Sequence, residues 1–170
     1  MIHVHHGSIM DVEAEGFVRP IRTDLSPVSA LSRDLGAWAG PDVEDQLARS
    51  GSLPLGGAVM TPGGQLPAAF LIHVVVMSED EPQTSATVQK ALRNGLRRAT
   101  DWALESLALP PLGIGVGMTE PEVSARALTE ILFNHLDEGA PPLELTIAVS
   151  SGFEEDLFRR LVEELTQDRA

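Results

Sequence analysis

The chain has no cysteine. Disulfides, zinc–thiolate centres and thiol catalysis are therefore excluded. Basic residues are scarce too: 12 Lys plus Arg stand against 25 Asp plus Glu, a net charge of −13. Such a charge favours solubility and disfavours extended contact with a nucleic-acid polymer or an acidic membrane surface. It does not exclude a small phosphorylated ligand, because backbone N–H groups hold anions without Lys or Arg. There is no charged-then-apolar leader and no run of about 18 apolar residues, so a cytoplasmic protein without a membrane span is expected. No repeat, low-complexity segment or linker breaks the 170 residues, which predicts a single domain over 1–170. No Ser-His-Asp order with a nucleophile elbow is found. Nothing calls for a cofactor.

What is present is an alternation of strand-like and helix-like apolar patterns. Ile2 and Val4, followed by Gly7-Ser8-Ile9, read as a strand and its turn. Phe17 to Ile21 reads as a second strand, in which Pro20 removes an N–H and argues for an edge, an end or a distortion. Ser26-Pro27 has the form of a helix start, predicting a helix to Ala39 that buries Val28, Leu31, Leu35 and Trp38. A short helix from Asp42 to Arg49 follows. Residues 57–61 and 69–76 read as strands, the second apolar on both faces and so central. A helix over 85–106 buries Val88, Ala91, Leu92, Leu96, Ala99, Trp102 and Ala103. Strand 107–112, a helix opened by Thr119 to Glu122, strand 143–149 and a C-terminal helix from Ser151 complete the order. The alternation predicts a three-layer α/β/α sandwich with a mixed central sheet.

Leu109 to Met118 carries the sharpest signal. An apolar strand runs into glycines at every second position, Gly113-Ile114-Gly115-Val116-Gly117, just before an amphipathic helix. Glycines there let backbone N–H groups approach an anion, and the following helix adds its dipole. Glu120 stands where a dinucleotide fingerprint needs its last glycine, and no Lys-Ser or Lys-Thr follows as in a P-loop. The local pattern leaves a phosphate loop and a bare strand-to-helix turn both open.

Pro54 to His73, with Gly57-Ala58-Val59, Thr61-Pro62-Gly63 and Leu66-Pro67 followed by Ile72-His73, closely resembles the central segment of macro domains. Gly7-Ser8-Ile9 resembles the family's G-D-I, and Leu109 to Gly117 its second phosphate loop. The resemblance covers nearly the whole chain. It implies a macro-like fold with a cleft above the carboxyl ends of the strands, holding ADP-ribose or a related nucleotide. Residues Gly113, Ile114, Gly115, Val116 and Gly117 would then bind the diphosphate. Gly7, Ser8 and Ile9 would lie at the base end, and Phe153 falls near the family's adenine-packing aromatic or serves as a helix staple.

The first phosphate loop departs from the family. Val18-Arg19-Pro20-Ile21-Arg22 replaces V-N-A-A-N, and Pro27 to Leu31 replaces the glycine stretch, with Ser32 near the acidic position. The groups that orient the distal ribose and a water in hydrolytic members are missing. Arg19 and Arg22 stand where the cleft would be, suited either to a phosphate or to an ion pair with the abundant acids. Three functions follow: a non-hydrolytic binder of ADP-ribose, a hydrolase of ADP-ribosyl or O-acetyl-ADP-ribose substrates with a relocated acid such as Asp24 or Asp34, or an interaction module with a closed cleft. A homodimer is compatible with the sequence. His3, His5 and His6 are expected to be solvated rather than metal-bound, His73 to be a satisfied core histidine, and His135 to be exposed.

Overall fold

Residues 70–77 are apolar on both faces, and in the computed structural model, which describes residues 1–113 and 120–170, they form a strand covered on both sides. Six strands make the sheet: β1 (Ile2–His6), β2 (Gly16–Arg22), β3 (Ala58–Pro62), β4 (Phe70–Met77), β5 (Ser106–Leu109) and β6 (Glu144–Val149). Their order is β1-β6-β5-β2-β4-β3, parallel throughout except for β3 against β4. Five helices, α1 (Ala30–Ala39), α2 (Pro41–Ala48), α3 (Ser85–Asp101), α4 (Pro121–Glu138) and α5 (Gly152–Asp168), cover its two faces.

The period-two alternation of strand side chains divides the core. Val18, Ile72, Val74, Leu107, Leu109 and Ile147 pack against α3, α4 and α5. Phe17, Leu71, Ala108 and Ala148 pack against α1 and α2, where Leu35, Ala39 and Val43 meet them. This is the expected three-layer sandwich with a mixed sheet. No helix among the described residues is long and apolar enough to cross a membrane.

Several local expectations are corrected. Helix α1 starts at Ala30 with Ser29, not Ser26, as its cap: the Ser29 side chain accepts from the Ser32 N–H. The chain is still extended at Pro27, which bridges back to Ile21 and so holds the segment in a strand-like path before the helix begins. Helix α3 ends at Asp101 rather than near 106. Ala103 adopts a left-handed φ of 53°, and the N–H groups of Ala103 and Leu104 close back on the carbonyls of Thr100 and Ala99, the pattern of a Schellman stop. Trp102 therefore leaves the helix stripe and is 63% exposed, its ring tilted against Phe70. Trp38, also expected inside, is 40% exposed. His135 is buried instead of exposed, its Nε2–H donating to the Pro142 carbonyl at 2.9 Å.

Pro20 lies in a central strand, not at an edge, yet its missing N–H costs little. Strand β5 pairs with β2 only at Gly16 and Phe17, and toward Arg22 that side of β2 meets no further sheet strand, only the bridge from Ile21 to Pro27 and the Arg22 N–H on the Ser26 carbonyl. The Pro20 carbonyl accepts from the Ser32 hydroxyl instead of a strand, and the sheet splits there.

Candidate ligand-binding cleft

The split between β2 and β5 opens into a cleft of about 510 Å³. Its walls are the carboxyl ends of β1, β2, β5 and β6 and the segments leaving them, represented by His6, Pro20, Pro110 and Val149. Strands that diverge to opposite sides leave a crevice of this kind in open α/β sheets. The lining also holds Val28 and Ser29 at the start of α1, Gln83 just before α3, and Ser150 and Glu154 at the start of α5. Three helices thus present their N-terminal, partially positive ends.

Of the residues singled out from sequence, Gly7, Ser8, Ile9, Ser32 and Gly113 line the cleft. Ile114, Gly115, Val116 and Gly117 lie outside the described residues. Gly7 adopts a φ of 149° and donates its N–H to the Val149 carbonyl at 2.9 Å, tying the β1 exit to β6. The Ser8 side chain accepts from the Met10 N–H at 3.1 Å and caps a 3-10 turn over Ile9–Asp11. Ser32 is fully buried at the cleft floor.

Arg19, Arg22 and Phe153 are not among the lining residues. Arg19 sits on the α1/α2 face of β2, where alternation turns it away from the cleft. It is 2% exposed; Nε donates to the Ser32 carbonyl at 2.7 Å and Nη1 to Glu44 Oε1 at 2.7 Å. Burial pulls its pKa below the ordinary guanidinium value, and Glu44 pushes back. The Arg22 guanidinium donates to the Pro27 carbonyl. Phe153 is 63% exposed at the start of α5.

The candidate relocated acids also stand apart from the lining. Asp24 is exposed and accepts from Ser26, whose hydroxyl holds its pKa down. Asp34 lies 3.9 Å from Arg33. The carboxylate that does reach the cleft is Glu154, which sequence reading missed. Its backbone N–H donates to Ser151 Oγ while its Oε1 accepts from the Ser150 N–H at 3.1 Å. That reciprocal pattern resembles a capping box, whose S-x-x-E signature is visible at 151–154. No group of three or more potential metal ligands occurs among the described residues. His3 bonds Glu144 at 2.7 Å, a carboxylate brought alongside by β6 rather than by sequence.

Beneath the floor, His73 pairs in register with Arg19. Its Nε2 is 3.0 Å from Thr61 Oγ1, whereas Nδ1 has no hydrogen-bond partner among the described residues. Only one ring nitrogen of this core histidine is therefore satisfied. Gly36 of α1 supplies the space for the Arg19–Glu44 pair: a Cβ there would overlap both Glu44 Oε1 and the guanidinium. Gly to Ala inside a helix usually stabilises by about 1 kcal/mol. Gly36→Ala is expected to reverse that sign and cost about 1–3 kcal/mol through overpacking, measured by urea unfolding; a stabilised variant would show that the pair can move aside.

Comparison with known proteins gives a consistent picture. The Macro domain family model matches residues 20–128. An uncharacterized protein of Aquifex aeolicus is 32% identical over 130 residues, covering 76% of this chain and 79% of that protein. An O-acetyl-ADP-ribose deacetylase of Enterobacter cloacae is 24% identical over 173 residues, spanning 98% of this chain and 96% of that one. A mutant Oceanobacillus iheyensis macrodomain with ADPR matches with a TM-score of 0.82 at 19% identity, over 96% of this chain and 92% of that chain.

Proposed function

Because this chain belongs to the macro domain family, we propose that its cleft binds ADP-ribose or a closely related phosphorylated nucleotide and does not hydrolyse it. One observation carries the binding half: an opening of about 510 Å³ at the strand ends, faced by three helix N-termini. That volume suits a ligand of nucleotide size. The lining contains no Lys or Arg among the described residues, so backbone amides and helix ends must neutralise the diphosphate. Gly113 and the loop through Gly117 would hold the phosphates, Gly7, Ser8 and Ile9 the base end, and Ser32 the floor between them. The ADPR carried by the similar Oceanobacillus macrodomain supports the same choice.

The non-hydrolytic half rests on the acids. Asp24 and Asp34 do not line the cleft, and the Glu154 carboxylate is engaged in capping α5. The deacetylase relative favours the competing reading, a hydrolase. Titration calorimetry and thermal melts with ADP-ribose separate the outcomes. Ligand at about a hundred times its Kd should stabilise the fold by about 2.7 kcal/mol, a Tm rise of roughly 5–10 °C for a chain of this size. No heat and no shift at millimolar ligand would remove the binding proposal. Steady release of acetate from O-acetyl-ADP-ribose would remove the non-hydrolytic one.

A further inference from the structure

Away from the cleft, the cations of this acidic chain are unevenly used. Arg19, Arg22, Arg33, Arg126, Arg159, Arg160 and Arg169 each hold an acid or a carbonyl. The guanidinium groups of Arg49, Arg93, Arg97 and Arg98 have no ion pair or hydrogen bond among the described residues, and three of those four lie on α3. Helix α3 also carries Lys90 and has Asp101 as its one acid, in a chain of net charge −13. Arg93 and Arg97, one helical turn apart, repel each other by a few tenths of a kcal/mol. Both are exposed and make no ion pair or side-chain hydrogen bond among the described residues.

They instead form one wall of a groove of about 210 Å³ between α3 and α4. Ile131 floors it with Leu96, and Asn134, His135 and Glu138 make the facing wall. Arg169 donates to Asn134 Oδ1 at 3.0 Å, which fixes the amide and leaves its NH2 to donate elsewhere. His135 is fixed through Nε2 on the Pro142 carbonyl. The groove shares no lining residue with the cleft at the strand ends.

We propose that this groove is a second anion site, in which the paired forks of Arg93 and Arg97 and the Asn134 amide bind a phosphoryl group. Guanidinium pairs match the tetrahedral oxygens of phosphate in a way that point charges do not. The volume falls below that of pockets for whole drug-sized ligands, so one charged group enters rather than an entire nucleotide. Glu138, also in the lining, opposes a second phosphate and accepts from a hydroxyl, so the ligand class is a phosphomonoester with hydroxyl neighbours.

The test uses inorganic phosphate with the full chain, followed by amide chemical shifts. Saturable shifts are expected on α3 and α4 around Arg97 and Asn134, in addition to any at the cleft. The double variant Arg93→Ala, Arg97→Ala should weaken the α3–α4 response at least about tenfold while leaving ADP-ribose binding unchanged. Arg49→Ala, which removes an unpaired cation outside the groove, should leave it intact. Shifts confined to the cleft, shifts that never saturate, or equal loss in the Arg49 variant would each overturn the assignment.

Discussion

Replacing Glu44 with alanine is expected to destabilise the fold by about 3–5 kcal/mol, the cost of stranding a buried charge. The guanidinium of Arg19 is 2% exposed, whereas the Glu44 side chain is 41% exposed. The pair is therefore asymmetric. Without Glu44 the cation keeps, among the described residues, the Ser32 carbonyl as its hydrogen-bond partner, and burial already disfavours its charge. Without the cation, Glu44 turns to water. Arg19→Met keeps much of the side-chain volume and should cost less, about 1–3 kcal/mol, mainly through the lost donor to Ser32. Urea unfolding of the two single variants gives the order directly. Equal costs, or a Glu44→Ala loss below about 1 kcal/mol, would mean that the charge is solvated in some other way.

A pH effect of similar size is expected from His73. Burial, and then the neighbouring Arg19 charge, push its pKa down from 6.5 to about 3. The folded state thus holds a neutral ring while the unfolded chain binds a proton below about pH 6.5. Its contribution is fully present above that pH and is lost as pH falls toward 3, at about 1.4 kcal/mol per pH unit. Between about pH 7 and about pH 5 the loss amounts to roughly 2 kcal/mol, above the range where most carboxylates titrate. Stability curves for the wild type and for His73→Gln, which cannot take up that proton, should diverge in slope through this window. Parallel curves would show that the ring gains a proton in the folded state without penalty.

Both effects come from a cluster that the sequence hides. The order of strands and helices along the chain and the sandwich with its mixed sheet are legible from periodicity and turn residues, and the cleft above the strand ends from the macro-like central segment. Arg19 was visible as a cation near the cleft, but its direction depends on which face of β2 meets α1. Its acid partner is 25 residues away in α2. Glu144 beside His3 is a pairing that only the parallel register of β1 and β6 creates. The end of α3 carries no signal in the sequence, because a left-handed alanine, not a glycine, stops it. Glu154 was within reach, since its capping-box spacing is written in the chain; its place beside the cleft is not.

The flank of β2 that β5 leaves free bears on what the opening can admit. A bare strand flank normally invites an extended peptide to add itself through alternating main-chain donors and acceptors. Here the donor is missing at Pro20, the matching acceptor is already taken by Ser32, and the next donor, the Arg22 N–H, is held by the Ser26 carbonyl. Main-chain zippering is blocked along this flank. The split in the sheet is thereby kept for compact ligands recognised by their own groups, and closed to β-augmentation by a passing chain.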